Sequence, residues 1–172
     1  AAIMLKWYGC TEVMLVDLSD FRLANARKLG FLTCNPAQED LRDAAFAAFG
    51  RSPGYPAEKC GARLYVDAVG VPSVIERFAA LAPRNGSLAL VGVHKQPVPL
   101  DLTQIAFNNW HIHGCGDGET EAMLPDILAM MRSGRFDLAS LVTHEFPVDR
   151  IAEALEQAGR PDEAQKVCIS FA

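Results

Sequence analysis

An aspartate at the end of an apolar run is the first residue of this sequence that could do chemistry. Asp17 follows the run EVMLV, and the stretch after it has the spacing of an amphipathic helix. A carboxylate placed at the end of such a strand can accept hydrogen bonds from both hydroxyls of an adenosine ribose and repel a 2′-phosphate. Arg22, one helical turn further on, can lie against the ribose or the adenine. The alternatives are a cap or solvated turn residue for Asp17 and an exposed helical arginine for Arg22.

Two further turns place small residues where apolar strands are predicted to end. They are DAVG at 67–70 and LVGV at 90–93. Open α/β sheets bind ligands at the carboxyl ends of their strands, and a backbone approaches a flat ring closely only where residues such as Ala68 and Gly70 are small. Side by side, the two turns would form one wall of a dinucleotide crevice. The alternative is that each glycine simply follows a buried strand, which is common.

The stretch WHIHGCG carries residues that could bind a metal. His111, His113 and Cys115 alternate, so all three point to one face of a strand. Successive ligands on a straight strand lie about 6.6 Å apart, too far for the outer two to share a metal easily. A polar strand face is therefore favoured over a zinc site. His94 and His144 stand alone in the sequence and are interpreted as structural.

Alternating strands and helices are predicted to position these groups. Strands are predicted at 12–16, at LTCNP (32–36, stopped by Pro36), at 63–70 and at 87–93. A first helix is predicted inside AAIMLKWYG, and a second is capped by Ser19 or Asp20 and closed by Gly30. Two further helices are predicted at 40–49 and 72–86. Because the strands are apolar on both faces, the pattern predicts an α/β fold with a doubly wound, Rossmann-type parallel sheet.

The rest of the chain has a simpler pattern. GRSPGYPAEKCG reads as a loop because of its glycines and prolines, and 108–116 reads as a strand. A helix is predicted at 119–134, interrupted or begun near Pro125. LVTHEFPVDRIAEALEQAG is predicted to be a strand that leads into a capped helix, and KVCIS a last strand.

The composition excludes several classes of protein. Half of the 172 residues are hydrophobic, the net charge is −5, and the five cysteines form no C-x-x-C pair. An acidic chain lacks the basic surface that nucleic acid or an anionic membrane selects, and scattered cysteines indicate neither a disulfide framework nor a zinc ribbon. No hydrolase or P-loop motif is present. The expected protein is a cytoplasmic one with no nucleic-acid or membrane partner.

Six motifs follow one another along the chain in a specific order: VMLVDLSDFRLANARKLG, NP, VDAVG, ALAPRNGSLALVGV, WHIHGCG and LVTHEFPVDRIAEALEQAG. In this order they resemble the carboxyl-terminal half of the zinc-dependent alcohol dehydrogenases, the medium-chain dehydrogenase/reductase family. The resemblance implies that Asp17 holds the adenosine ribose of NAD, that Arg22 flanks it, and that Lys166 reaches the pyrophosphate. It implies further cofactor contacts by Ala68, Val69 and Gly70 in the crevice, by Val91, Gly92 and Val93 at the nicotinamide, and by backbone groups of His113 and Cys115 at the carboxamide.

The same resemblance predicts what this chain lacks. It places the family's glycine-rich turn and first strand just before Ala1, and the catalytic domain with its zinc ligands further upstream. The chain would comprise a Rossmann-type domain at 1–134 and a tail at 135–172 that packs on the catalytic domain. NWHIHG would be an edge strand used for a homo-oligomer, a dimer or tetramer.

The leading hypothesis is the cofactor-binding portion of an NAD-dependent, zinc-type dehydrogenase that acts on an alcohol or polyol, inactive as this fragment. One alternative is an S-adenosylmethionine methyltransferase, which also uses an acid at the end of a second strand. The other is a non-catalytic interaction module built on a dehydrogenase fold.

Overall fold

Helices and strands alternate along the chain as the hydrophobic pattern predicts. The structure is a computed structural model that describes residues 1–116 and 120–171. The helices are α1 (Ala2–Trp7), α2 (Asp20–Lys28), α3 (Leu41–Phe49), α4 (Pro72–Leu81), α5 (Leu102–Asn108), α6 (Thr120–Arg132) and α7 (Ile151–Ala158). The strands are β1 (Met14–Val16), β2 (Leu32–Cys34), β3 (Arg51–Ser52), β4 (Lys59–Cys60), β5 (Leu64–Asp67), β6 (Ser87–Leu90), β7 (His111–Gly114), β8 (Val142–Pro147) and β9 (Lys166–Ser170).

The described residues form two units, of which the first contains 1–41 and 120–171. In this unit β1 runs parallel to β2, and β8 runs parallel to β9. Helix α2 begins where predicted, because the Ser19 side chain caps it by accepting a hydrogen bond from the Arg22 amide. Leu23 and Ala26 form its buried face.

The second unit contains residues 42–116 and is built on a three-stranded parallel sheet in the order β5, β6, β7. Phe78 of α4 lies at the centre of its core, with its ring 4.8 Å from that of Trp110 and 5.3 Å from that of Tyr65. The Trp110 indole N–H donates to the Pro83 carbonyl, so its one polar group is satisfied. The apolar faces of α4 and β6 are therefore buried against each other.

The predicted single doubly wound sheet is not formed by the described residues. Their strands make four separate sheets, three of them parallel. The fourth is the short antiparallel pair of β3 and β4, inside the stretch that was predicted to be a loop. The prediction there was wrong because two-residue strands leave no recognisable alternation in a sequence rich in glycine and proline.

One helix was not predicted at all, and details of two predicted helices were wrong. Helix α5 was missed, although Asp101 caps it by accepting from the Thr103 amide. Helix α6 does not begin near Pro125, which lies inside it; the first residue of the predicted helix, 119, lies outside the described part of the chain. Helix α7 has no side-chain cap, because Arg150 occupies the cap position.

Candidate cofactor-binding site

Asp17 lies directly after β1, as predicted, and it also shapes the turn that follows. Its backbone amide donates to the Cys34 carbonyl at 3.3 Å, and its carboxylate Oδ1 accepts from the Ser19 amide at 2.9 Å. Ser19 in turn caps α2. Asp17 therefore does act as a turn residue, and it uses its Oδ1 atom for this. Oδ2 has no hydrogen-bond partner within 1–116 and 120–171, which leaves it free to accept from a ribose hydroxyl.

Arg22 is not an exposed helical arginine, which was the alternative to a contact with the ribose or adenine. Its Nε and Nη2 atoms each lie 3.4 Å from the Ala164 carbonyl oxygen, and the side chain is half-buried. The neighbouring Ser19 hydroxyl donates to the Pro161 carbonyl at 2.8 Å. One face of α2 thus binds the segment that leads directly into Lys166, the first residue of β9. Asp17, Arg22 and Lys166 all belong to the first unit.

The two small-residue turns of the second unit lie against each other, as predicted. Gly70 has a φ of 79°, a conformation that glycine adopts without strain. A Cβ atom added to Gly92 would lie 2.2 Å from the Gly70 nitrogen, and one added to Gly70 would lie 2.5 Å from the Val93 oxygen. Because those neighbours are backbone atoms, neither position has room for a side chain.

Apolar side chains project into solvent from these turns. Val69, Val91 and Val93 are 63%, 50% and 82% exposed, and Ala68 beside them is exposed as well. An apolar surface at the carboxyl ends of parallel strands suits a flat ring such as nicotinamide. The residues present therefore fit the cofactor that the resemblance implies.

Asp67 and His94 form a buried pair that the sequence interpretation missed. His94 was taken as isolated, but its Nε2 lies 2.6 Å from Oδ2 of Asp67, whose side chain is fully buried. Oδ1 of Asp67 accepts from the amides of Val69 and Gly70. The signal that could have found the pair is a charged residue that closes an otherwise apolar strand, LYVD.

The pKa of Asp67 gives this pair a pH dependence. Burial by itself raises the pKa of this carboxyl, but the hydrogen bonds from Gly70, Val69 and His94 outweigh burial and hold the pKa below its usual value. The carboxylate therefore stabilises the fold fully above the unfolded pKa of about 3.9, and this contribution is lost as the pH falls through the lower folded pKa. We expect Asp67→Asn to lower the urea midpoint at pH 7, where the wild-type carboxylate is ionised.

Below about pH 4 the urea midpoints of the wild type and Asp67→Asn should approach each other, because the wild-type carboxyl becomes protonated and loses its charge. Urea unfolding at a series of pH values measures it, with the exposed Asp162→Asn as the control that should show little difference at any pH. A wild-type advantage that stayed constant down to pH 3 would contradict the expectation.

The nearby β7 strand presents His111 and His113 on one face, with stacked rings 6.4 Å apart. The amide of Cys115 donates to the Leu90 carbonyl at 3.0 Å. A cofactor carboxamide would therefore either donate to the Cys115 carbonyl or take the place of Leu90 as acceptor for the Cys115 amide.

Within the described residues no three His, Cys, Asp or Glu side chains are grouped to hold a metal ion. The catalytic zinc of the family thus has no fitting site in this part of the chain.

No helix in the described parts of the chain is long and apolar enough to cross a membrane.

Among curated proteins, the chain is similar to an L-threonine 3-dehydrogenase from Paraburkholderia phytofirmans. The two share 30% identity over 155 residues, which is 90% of this chain and 43% of that enzyme. It is similar to the L-threonine 3-dehydrogenase from Escherichia fergusonii, with 26% identity over 99% of this chain and 48% of that enzyme. The chain therefore spans about half the length of the curated relatives it matches.

Solved structures show the same fold. An alcohol dehydrogenase from Thermus sp. ATN1 matches with a TM-score of 0.85 and 22% identity, over 100% of this chain and 48% of that chain. A short chain alcohol dehydrogenase from Escherichia coli CFT073, complexed with the cofactor NADH, matches with a TM-score of 0.82 and 23% identity, over 99% of this chain and 48% of that chain.

A family model described as zinc-binding dehydrogenase matches residues 1–133, which carry every motif of the resemblance except the last, LVTHEFPVDRIAEALEQAG. This match covers well over half of the chain and includes β1, Asp17 and both small-residue turns. The chain belongs to the family of zinc-binding dehydrogenases.

Proposed function

We propose that this chain is the NAD-binding part of a zinc-type dehydrogenase that transfers hydride between an alcohol or polyol and NAD. The observation that carries the proposal is Asp17, which directly follows β1 in a chain of this family and has one carboxylate oxygen without a partner among residues 1–116 and 120–171. An acid in that position favours NAD over NADP, because it bonds the ribose hydroxyls and repels a 2′-phosphate. The family match also favours the dehydrogenase over the methyltransferase hypothesis.

The proposed contacts follow the resemblance residue by residue. Asp17 accepts from the adenosine ribose, Arg22 flanks it, and the Lys166 ammonium attracts the pyrophosphate. The turns at 68–70 and 91–93 offer an apolar, close-packed surface to the nicotinamide, and His113 and Cys115 offer backbone groups to its carboxamide. When bound, NAD supplies the hydride acceptor; these residues orient it and exclude water from one face of its ring.

Zinc and the substrate would be held elsewhere in the complete enzyme. No described cluster of this chain suits a metal, and the chain covers 43% of the L-threonine 3-dehydrogenase it matches, so the groups that bind zinc and the alcohol would come from the part of the enzyme that this chain does not cover. The outer position of β7 in its sheet makes NWHIHG the segment that we propose for contact between subunits of a homo-oligomer.

Turnover by the complete gene product that contains this chain tests the proposal. We expect NAD reduction with secondary alcohols, among which L-threonine and 2,3-butanediol are suitable first substrates because related proteins are named for them. Activity should need NAD and should fall when zinc is removed by a chelator. A complete protein that binds S-adenosylmethionine or no dinucleotide at all would contradict the proposal.

A sample limited to residues 1–172 should show no dehydrogenase turnover. The physical reason is that the described residues offer no site for the zinc that would polarise the alcohol oxygen. The measurement is NADH absorbance with the same alcohols, and the complete gene product at equal concentration is the control. Turnover by the 172-residue chain comparable to that of the complete protein would show that the catalytic groups lie within it.

A further inference from the structure

Asp67 is a common anchor for the two turns that are proposed to face the nicotinamide. Its carboxylate Oδ1 accepts from the amides of Val69 and Gly70, each at 2.9 Å. Its backbone carbonyl accepts from the amides of Val91 and Gly92, at 2.9 and 2.8 Å. One fully buried residue at the end of β5 therefore holds four backbone amides, two in each turn.

His94 holds the remaining oxygen of that carboxylate. The ionised carboxylate can only accept, so the contact of 2.6 Å makes His94 Nε2 the donor and fixes the tautomer. The other ring nitrogen, Nδ1, is buried and has no hydrogen-bond partner within the described residues. Within residues 1–116 and 120–171, the imidazole therefore hydrogen-bonds only to Asp67. Because His94 follows Val93 directly, this bond also fixes the far end of the second turn.

We propose that Asp67 and His94 are positioning residues for the nicotinamide end of the cofactor. The inference rests on the proposed function, since it assigns the pair to the nicotinamide-facing turns of that site. Neither side chain is placed to touch the cofactor: Asp67 is fully buried, and His94 is only 18% exposed. They act by holding the amides of the turns in one arrangement, so that Val69, Val91 and Val93 present a fixed surface.

A positioning role and a purely structural role predict different effects on ligand binding. A pair that only stabilised the fold would change the binding of every ligand together with the thermal midpoint. A pair that sets the nicotinamide surface changes the binding of NADH and leaves AMP, which lacks the nicotinamide, unaffected. Comparing these two probes therefore separates the roles.

The test uses the complete gene product with His94→Phe, which keeps a flat ring but removes the donor. We expect the dissociation constant for NADH, measured by nicotinamide fluorescence, to rise about tenfold, equivalent to 1.4 kcal/mol. The constant for AMP, measured by calorimetry, should change less than about twofold, the range of surface substitutions. His94→Gln, whose amide can still donate to Asp67, should recover most of the NADH affinity. His144→Phe, at a half-buried histidine of the first unit, is the matched control and should bind both probes normally.

Asp67→Asn provides a second route if His94→Phe does not fold. Its Oδ1 still accepts from Val69 and Gly70, but its Nδ2 cannot accept from His94, so NADH should again weaken selectively. Unchanged NADH binding in a folded variant, or equal losses for NADH and AMP, would overturn the positioning role while leaving the proposed function intact. A wild-type protein that binds neither AMP nor NADH would instead contradict the proposed function.

Discussion

Replacing Gly92 by alanine is expected to destabilise the protein by about 3 kcal/mol and to abolish measurable NADH binding. The new methyl group would lie 2.2 Å from the Gly70 nitrogen and 2.7 Å from two backbone atoms of Val69. Backbone atoms cannot move aside as the end of a flexible side chain can, so the two turns must separate. Separation would stretch the bonds that Asp67 makes to both turns and would disturb the surface proposed for the nicotinamide.

Urea unfolding and NADH fluorescence of the complete gene product measure the two effects. Gly116→Ala is the matched control, because a Cβ there meets no described atom within 4 Å and the residue has an ordinary φ. It should change stability by less than about 0.5 kcal/mol. If Gly92→Ala unfolded at the wild-type midpoint and bound NADH normally, the close contact between the turns would be wrong.

The second large effect is expected at Asp17. Asp17→Asn keeps an oxygen that can accept from the Ser19 amide, so the turn and the cap of α2 should survive. The variant loses the charge that strengthens hydrogen bonds to the ribose and repels a 2′-phosphate. We expect the preference for NADH over NADPH, expressed as the ratio of dissociation constants, to fall about 100-fold, equivalent to about 2.7 kcal/mol.

Fluorescence titration of the complete gene product with NADH and NADPH measures this ratio. Glu12→Gln removes an exposed charge two residues before β1 and should leave the ratio unchanged. An unaltered ratio in Asp17→Asn, with NADH still bound tightly, would place the ribose away from Asp17. Because the variant retains the turn, a change in the ratio would report on the charge and not on a loss of folding.

Local patterns in the sequence predicted much of the architecture. Short apolar runs ending in a polar or small residue marked β1, β5 and β6, and Ser19 marked the start of α2. These features are visible because strand length, caps and glycine positions depend on residues adjacent in sequence. The same signals placed Asp17 and the two small-residue turns at the ends of strands, where the structure has them.

Contacts between distant residues were harder to predict. Asp67 and His94 are 27 residues apart, and they meet only because β5 and β6 pair in parallel with Asp67 opposite Leu90. The bonds from α2 to the segment before Lys166 span 142 residues. Nothing in the local sequence around Arg22 indicates such a partner. Register and packing determine these contacts, and a single sequence does not reveal them.

The separate sheets have a similar explanation. Each strand is three to six residues long apart from the pair of β3 and β4, so local propensity indicates that strands exist but not which strands pair. The prediction of one continuous sheet came from the order of elements and from strands that are apolar on both faces, and neither feature shows which strands are neighbours. For the strands that are joined by helices, the parallel direction was predicted correctly, because a connecting helix requires it.

The most direct test of the account is a crystal structure of the complete gene product with NADH. We expect both carboxylate oxygens of Asp17 within hydrogen-bonding distance of the adenosine ribose hydroxyls, or one if the other keeps the Ser19 amide, at about 2.5–3.0 Å. The nicotinamide ring should lie against the turns that contain Gly70 and Gly92. A structure in which NADH is bound with its adenosine ribose held by other residues, and Asp17 contacts only its own turn, would contradict the account.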